Sequence, residues 1–193
     1  MTTVGILAVQ GDVAAHARAL ERVGVGARRV LRADEIEACD GIILPGGEST
    51  TISKGMDRLK LWEPLRAFAK TGRPMLGTCA GAILLSREAR SPYSGSEPVS
   101  TLGVLDVIAC RNAYGTQVDS FRTPVDPASD PLLADFLCVF IRAPRLEALG
   151  AAVEVLARVD GEPVAVREGA VWATTFHPEL TDDSRLHQAW LAG

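Results

Sequence analysis

Short runs of apolar residues recur along the first half of the chain. Residues 4–9, 27–31, 41–44 and 74–78 have the length and character of strands. The first of these runs is continuously apolar, which is typical of a strand that is buried on both faces. We therefore predict four strands in this half of the chain.

Helical patterns fill the gaps between these strands. Residues 13–23 carry apolar side chains at helical spacing, and residues 51–70 have a helical pattern that Pro64 should interrupt or restart. A further helical run, residues 80–88, follows the fourth strand directly. Such alternation predicts a three-layer α/β fold with a mainly parallel central sheet and helices on both faces.

The second half of the chain has a different pattern. A loop rich in Ser, Pro and Gly at residues 90–100 precedes shorter strand-like runs, and residues 182–191 form a final predicted helix. Asp160-Gly161, between two of these runs, is a strong signal for a hairpin turn. No repeat or linker interrupts the pattern, so we predict one domain over residues 1–193. The strand-like runs are residues 103–109, 137–141, 153–159, 163–167 and 171–175.

Charge and hydropathy narrow the classes of partner. The 193 residues are 47% hydrophobic and carry a formal net charge of −4, which gives no general attraction to phosphate backbones or anionic lipid. No apolar run approaches the roughly 20 residues that cross a bilayer. The first residues lead into an apolar strand without the basic region of a signal peptide. We therefore expect a cytoplasmic protein that binds neither nucleic acid nor membrane.

The four cysteines do not form a metal-binding pattern. They are widely separated in the sequence, and a chain of this size does not need disulfides for stability. We predict that Cys39, Cys110 and Cys138 are core residues, because buried free cysteine behaves as a small hydrophobe. Cys79 has a different context, and no metal is expected.

Chemically active residues collect where predicted strands end. Gln10-Gly11, residues 45–49 (PGGES) and residues 78–81 (TCAG) each follow a strand. Ligands of open α/β sheets bind at the carboxyl ends of the strands. We therefore expect these three segments to share one site.

Residues 77–81 (GTCAG) have the form G-x-C-x-G, the cysteine counterpart of a nucleophile elbow. The flanking glycines relieve crowding at a sharp strand-to-helix turn, and the helix N-terminus favours the thiolate of Cys79. The alternative is a buried cysteine between two glycines that pack a helix.

His177-Pro178-Glu179 also follows a predicted strand. If the segment is extended, residues two apart point the same way, so Glu179 could hold the His177 ring in one tautomer. The other ring nitrogen would then face the thiol of Cys79 as base and acid. The alternative is a surface histidine beside a loop proline. His16 and His187 lie on predicted helices, and we expect them to be surface or packing residues.

Gly46-Gly47-Glu48-Ser49-Thr50 follows the third strand. Two glycines allow a backbone amide to point into the site, as an oxyanion hole requires. The amide of Ala80, just after the elbow cysteine, would be the second donor. Alternatively, Ser49 or Thr50 simply caps the next helix.

Together these residues resemble the class I, or triad, glutamine amidotransferases, and more specifically the glutaminase subunits of pyridoxal phosphate synthase. The resemblance runs from residue 4 to residue 181 in the family's order, and the combination of blocks is specific. The blocks are residues 4–11 (VGILAVQG), 44–51 (LPGGESTT), 77–81 (GTCAG), 111–115 (RNAYG), 117–121 (QVDSF), 140–144 (FIRAP) and 176–181 (FHPELT).

The resemblance implies a flavodoxin-like fold and hydrolysis of L-glutamine to L-glutamate and ammonia, without a cofactor. It implies Cys79 as nucleophile, His177 as base, Glu179 as its orienting residue, and the amides of Gly47 and Ala80 as the oxyanion hole. An arginine suits the α-carboxylate of glutamine and a glutamate suits its α-ammonium. The implied glutamine contacts are Gly47, Glu48, Ser49, Arg111, Ile141 and Arg142.

The resemblance also implies a protein partner. Ammonia must stay uncharged to react, so we expect a partner that collects it directly. In the family this is a (β/α)-barrel synthase that makes pyridoxal phosphate from ammonia, a pentose phosphate and a triose phosphate. Gln10 lies in the family's first loop, near where the synthase docks; otherwise it is a polar residue at a strand end.

Two features depart from the family pattern, and three alternatives stay open. Thr116 stands where a basic residue is expected, and the loop at residues 90–100 is slightly long. The same chemistry could serve another ammonia acceptor, such as that of histidine synthesis. The chain could also be a DJ-1-like cysteine hydrolase or a non-catalytic scaffold, although an HPE segment argues against both.

Overall fold

A computed structural model describes residues 2–111 and 120–193, and these form an α/β fold. Most predicted elements are present, with ends shifted by a few residues. In chain order they are β1 (Thr3–Leu7), α1 (Val13–Arg22), β2 (Gly26–Val30), α2 (Ala33–Glu37), β3 (Gly41–Leu44), α3 (Ser49–Leu59), α4 (Trp62–Lys70), β4 (Met75–Thr78), α5 (Ala80–Leu85), β5 (Ser86–Arg90), β6 (Leu105–Cys110), β7 (Phe121–Pro124), β8 (Leu137–Phe140), β9 (Arg145–Glu147), β10 (Glu154–Val159), β11 (Glu162–Glu168), β12 (Val171–Thr174) and α6 (Arg185–Ala192).

The main sheet is parallel over most of its width. Its order among the described residues is β10-β11-β12-β4-β3-β1-β2. The last five strands in that order run parallel, whereas β10 and β11 add an antiparallel edge. The carboxyl ends of β3, β4 and β12 therefore meet at one edge, which confirms the predicted mainly parallel sheet.

Helices cover both faces of this sheet. Strand side chains alternate between two apolar clusters, as with Ile42 and Leu44 on one face and Ile43 on the other. Buried residues of α2, α3, α4 and α5 join the first cluster, and those of α1 and α6 join the second. The predicted three-layer arrangement is confirmed. No helix in the described ranges is long and apolar enough to span a membrane.

Local signals explain several boundaries. Lys60 closes α3 with a left-handed φ of 56°, and Pro64 lies in the first turn of α4, where proline is tolerated. The predicted helix at residues 51–70 is therefore two helices, as the restart at Pro64 indicated. Asp160 and Gly161 both have positive φ, 52° and 79°, as a type I′ hairpin turn between β10 and β11 requires.

The predicted helix at residues 80–88 was too long. It ends at Leu85, and Ser86 turns the chain with its hydroxyl donating to the carbonyl of Ile83 at 2.6 Å. The next residues form β5 and pair with β6 in a small second sheet completed by β9. Pairing with distant strands, which local pattern does not reveal, overrode the helical pattern. Helix α2 and strands β7 and β9 were likewise not predicted.

Two glycines of the elbow let β4 and α5 pack closely. A Cβ on Gly77 would lie 2.6 Å from the carbonyl group of Gly81, and a Cβ on Gly81 would overlap the carbonyl oxygen of Leu44. These obstacles are backbone atoms, which cannot swing aside as a side chain can. The close contact of α5 with β3 and β4 therefore requires glycine at both positions.

We expect Gly81→Ala to destabilise the fold by at least about 2 kcal/mol, because the new methyl group overlaps the backbone of β3. For a chain of this length the melting temperature should fall by about 4–8 °C in thermal denaturation. Gly26→Ala is the matched control, since its Cβ would have only an ordinary contact of 3.4 Å. Equal melting temperatures for the two variants would contradict this close packing.

Candidate active site

Cys79 occupies a strained turn between β4 and α5. Its φ of 50° and ψ of −105° lie outside the regions that L-residues favour. Its backbone N–H donates to the carbonyl oxygen of Thr174 on β12, at 2.8 Å. The strand-to-helix elbow predicted from residues 77–81 is present, and its thiol is 3.7 Å from the carbonyl oxygen of Ile141.

His177 follows β12 on the neighbouring strand of the sheet. Gly46 separates it from Cys79: a Cβ on Gly46 would clash with the His177 ring and lie 3.3 Å from the Cys79 Cβ. The absence of a side chain at Gly46 therefore lets the histidine ring approach the elbow cysteine. The sequence indicated Gly46 only as one of two glycines that let a backbone amide point into the site.

Glu179 holds the far side of the His177 ring. Its Oε1 lies 2.8 Å from His177 Nδ1, and both side chains are buried. The predicted contact is confirmed, but the predicted extended segment is wrong. Pro178–Leu180 forms a single 3₁₀ turn, and this turn, not strand alternation, brings the carboxylate back to the ring.

The groups around the buried His177 ring polarise it. Burial alone would lower the pKa of His177, but hydrogen bonds with the Cys79 thiol and the Glu179 carboxylate outweigh it and raise the pKa to about 10. Burial alone would raise the pKa of Glu179, but the hydrogen bond from His177 and the positive charge of its ring lower it. Near neutral pH the ring therefore carries a proton next to an ionised carboxylate.

The residues predicted to bind substrate line one cavity beside Cys79 and His177. The cavity encloses about 150 Å³ at the edge of the sheet where β3, β4 and β12 end. The predicted segments 45–49 and 78–81 both contribute to it, whereas Gln10 and Gly11 do not line it. The role of each residue stays a prediction. The lining residues are Gly47, Glu48, Ser49, Cys79, Ala80, Ile83, Arg111, Ile141, Arg142, Pro144 and His177.

Opposite charges face each other across this cavity. Arg142 Nη2 lies 2.6 Å from Glu48 Oε1, and both side chains are roughly half exposed. Arg111 donates from Nη1 to the carbonyl oxygen of Glu97 at 2.8 Å. Because the Glu97 carboxylate also pairs with Lys54 on α3, at 2.6 Å, the loop at residues 90–100 helps to hold Arg111 at the cavity. Thr116, by contrast, lies outside the described residues.

The residues of the two predicted oxyanion donors, Gly47 and Ala80, line the same cavity as Cys79. Ala80 is the first residue of α5, so its N–H has no acceptor within the helix. Gly47 has a φ of 156°, in a region that glycine adopts readily. The alternative that Ser49 or Thr50 caps the next helix is excluded, since Glu48 occupies the N-cap position and α3 begins at Ser49.

Gln10 lies against the loop that carries Gly47. Its side-chain Oε1 accepts from the backbone N–H of Glu48 at 2.8 Å and fills the space where a Cβ on Gly47 would be. Gln10 is half-buried. Through this hydrogen bond it positions the loop that carries Gly47. A partner contact through Gln10 stays a prediction.

His16 was not predicted to belong to the site. It is fully buried on α1, with Nε2 at 3.2 Å from Thr78 Oγ1 and 3.5 Å from Glu179 Oε1. The expectation that His16 and His187 were surface or packing residues was therefore incomplete: both are fully buried, and His16 makes polar contacts. The available signal was its position on the apolar side of α1, four residues before Leu20.

The other three cysteines lie away from the cavity. All four cysteines are free thiols, and Cys39 and Cys138 are buried as predicted, whereas Cys110 is only half-buried. Burial raises the pKa of Cys138 to about 12, so its thiol stays protonated. Within the described ranges, no group of three His, Cys, Asp or Glu side chains is arranged to hold a metal ion.

We expect none of the three histidines to titrate between about pH 6 and pH 8. His177 should stay protonated, while burial lowers the pKa of His16 and lowers that of His187 to about 3, so both stay neutral. The pKa of His177 lies above its unfolded value of about 6.5, so its contribution to stability is complete below that pH and is lost as the pH rises towards 10. NMR of the ring carbons measures the pKa values of the three histidines.

In Glu179→Gln the pKa of His177 should fall by at least about one unit, because a carboxylate no longer stabilises the buried imidazolium. The matched control is Glu154→Gln, which removes an exposed carboxylate from the far edge of the sheet. An unchanged His177 titration in Glu179→Gln would show that the carboxylate does not polarise the ring.

Comparison with known proteins agrees with this geometry. Residues 6–192 match the SNO glutamine amidotransferase family. The chain is 49% identical to a protein of Frankia alni named "Pyridoxal 5'-phosphate synthase subunit PdxT", with 97% of this chain and 92% of that protein covered. A protein of Halobacterium salinarum with the same name is 47% identical, with coverage of 96% and 91%.

Solved structures give the same result. One described as "Crystal structure of glutamine amidotransferase" superposes with a TM-score of 0.88 at 44% identity, covering 98% of this chain and 97% of that one. PurLQS from Thermotoga maritima shares the fold alone, with a TM-score of 0.70 at 16% identity and coverage of 99% and 98%. The chain belongs to the SNO glutamine amidotransferase family.

Proposed function

We propose that this chain hydrolyses L-glutamine to L-glutamate and ammonia and supplies the ammonia to a pyridoxal 5'-phosphate synthase. The observation that carries the proposal is the position of Cys79. It lies on a strained elbow at a helix N-terminus, beside a histidine that is polarised by a buried carboxylate, in a cavity that also presents opposite charges. A nucleophile, a base and a group that orients the base are what acyl transfer through a thioester uses.

The charged groups of the cavity suit an amino acid. Arg111 and Arg142 supply guanidinium groups for an α-carboxylate, and Glu48 supplies a carboxylate for an α-ammonium. Arg142 and Glu48 also pair with each other. When glutamine binds, its α-carboxylate would pair with Arg142 and its α-ammonium with Glu48. Two ion pairs would replace one, so no charge would be left unpaired. Gly47, Ser49 and Ile141 would complete the contacts.

The first half of the reaction forms a thioester. The Cys79 sulfur attacks the side-chain amide carbon of glutamine, and the carbonyl oxygen becomes an oxyanion held by the amides of Gly47 and Ala80. The tetrahedral intermediate then breaks its carbon–nitrogen bond. The proton of His177 moves to the leaving nitrogen, and ammonia departs.

The second half of the reaction frees the enzyme. His177, now neutral, takes a proton from a water molecule as that water attacks the thioester carbon. The carbon–sulfur bond breaks, glutamate leaves, and the proton on His177 again stabilises the Cys79 thiolate. Glu179 keeps the ring oriented and stabilises its positive charge in both halves.

The ammonia acceptor follows from the relatives and from chemistry. Curated relatives at 44–49% identity are named as subunits of pyridoxal 5'-phosphate synthase. Ammonia released into water near neutral pH becomes mostly ammonium, which is not nucleophilic, so a docked acceptor avoids this loss. We propose the (β/α)-barrel synthase as partner, residues 1–193 as one glutaminase domain, Gln10 as a candidate contact and the cytoplasm as location.

Ammonia release from glutamine should rise when the synthase is added and should fall at least about 1,000-fold in Cys79→Ala, because no other group can form the thioester. A coupled glutamate dehydrogenase assay measures both. Cys138→Ala is the matched control, since this buried thiol lies outside the cavity. Continued hydrolysis by Cys79→Ala with the synthase present would refute the proposal, and failure of a glutamine-mimicking electrophile to label Cys79 would favour a scaffold.

Glu48→Gln and Arg142→Met should each raise the KM for glutamine about 10- to 100-fold and change kcat less, because each removes one charged contact to the bound amino acid. Steady-state kinetics of ammonia release measure both constants. Arg167→Met is the control, because it removes a similar ion pair, with Glu154, at the far edge of the sheet. A wild-type KM in both cavity variants would exclude this mode of binding.

A further inference from the structure

His16 lies next to the proposed orienting residue Glu179 and does not line the cavity. Helix α1 packs against the 3₁₀ turn Pro178–Leu180 and presents His16 to it. The His16 side chain is completely buried, with Nε2 at 3.2 Å from Thr78 Oγ1 and 3.5 Å from Glu179 Oε1. It therefore contacts both the residue before Cys79 and the carboxylate that orients His177.

The surroundings of His16 indicate which tautomer it adopts. Burial lowers its pKa and outweighs the nearby Glu179 and Asp12 charges, so the ring is neutral and carries one N–H. Its other neighbours are His177 and His187. Two oxygens lie near Nε2, whereas Nδ1 has no hydrogen-bond partner within the described parts of the chain. A proton on Nε2 can be donated to these oxygens, whereas a proton on Nδ1 would have no acceptor in the described ranges.

The Glu179 carboxylate lies near two histidine rings. Its Oε1 lies between His177 Nδ1, at 2.8 Å, and His16 Nε2, at 3.5 Å, while Oε2 has no side-chain partner in the described ranges. A carboxylate held only by the ring that it orients could rotate together with that ring. A contact from His16, on helix α1, would oppose this rotation.

Thr78 gives His16 a second connection to the site. Its hydroxyl oxygen accepts from the backbone N–H of Gly46 at 3.1 Å and lies within hydrogen-bond distance of His16 Nε2. Gly46 precedes Gly47, whose amide is the proposed oxyanion donor. The same imidazole thus supports the carboxylate and, through Thr78, the loop of the oxyanion hole.

We propose that His16 is a positioning residue, which donates from Nε2 to the Glu179 and Thr78 oxygens and so fixes the carboxylate that orients His177. The inference rests on the proposed glutaminase function but concerns groups that do not touch glutamine. His16 acts through Glu179, so its loss should slow the chemical step and leave substrate binding intact.

The test compares two side chains of nearly equal size. His16→Met removes the donor, and His16→Gln retains an N–H donor at a similar reach. With the synthase present, we expect kcat to fall about 10- to 100-fold in His16→Met with KM within about twofold, and to recover at least partly in His16→Gln. His187→Met is the control, because His187 is equally buried beside His16 but has no hydrogen-bond partner in the described ranges.

Two kinetic outcomes would overturn the proposal. One is a wild-type kcat in His16→Met. The other is an equal loss of kcat in His187→Met, which would show that packing between α1 and α6 is what matters. NMR adds a readout that a packing role would not change: the His177 pKa should fall in His16→Met and be restored towards its wild-type value in His16→Gln.

The wild-type protein provides a test that needs no folded variant and no activity. Nitrogen chemical shifts of the His16 ring should show a neutral imidazole protonated on Nε2 at neutral pH. A ring protonated on Nδ1 would lack the donor and would refute the positioning role. If wild-type protein with synthase released no ammonia, the glutaminase proposal would fail, yet the tautomer would still decide this inference.

Discussion

One hydrogen bond joins the two halves of the site: the backbone N–H of Cys79 donates to the carbonyl oxygen of Thr174. It ties the elbow of β4 to the end of β12, the strand that leads to His177. The left-handed backbone of Cys79 costs of order 1–3 kcal/mol, and this contact and the close packing of Gly77 against Gly81 hold it in place. The other features of the site are arranged around a cysteine whose backbone these contacts hold in place.

The charged residues at the cavity and the charged residues buried behind Cys79 have different environments. At the cavity mouth, Arg142 and Glu48 are half exposed, so water screens their pairing and a bound amino acid can replace it. Behind the cysteine, Glu179 is buried, and removal of its partners would leave a charge in a low-dielectric interior. Exchangeable charges suit substrate binding, and fixed charges suit catalysis, where orientation must persist through every turnover.

The sheet topology explains why such distant residues cooperate. Parallel strands place their carboxyl ends at one edge, so the loops after β3, β4 and β12 meet there. Helix α1 lies on one face of the sheet and α5 on the other, which allows support for the site from behind without blocking the cavity. The loop at residues 90–100 adds a further contact, through Glu97, to Arg111.

The sequence by itself determined the order of most strands and helices, the elbow, the Asp160-Gly161 turn and the pairing of His177 with Glu179. These features depend on residues close together in the chain, where backbone geometry allows few arrangements. Only the tertiary structure decided that helix α5 stops at Leu85, that Arg142 meets Glu48 and that His16 lies beside Glu179. Such contacts join residues far apart in sequence, and the packing of whole elements sets the distances between them.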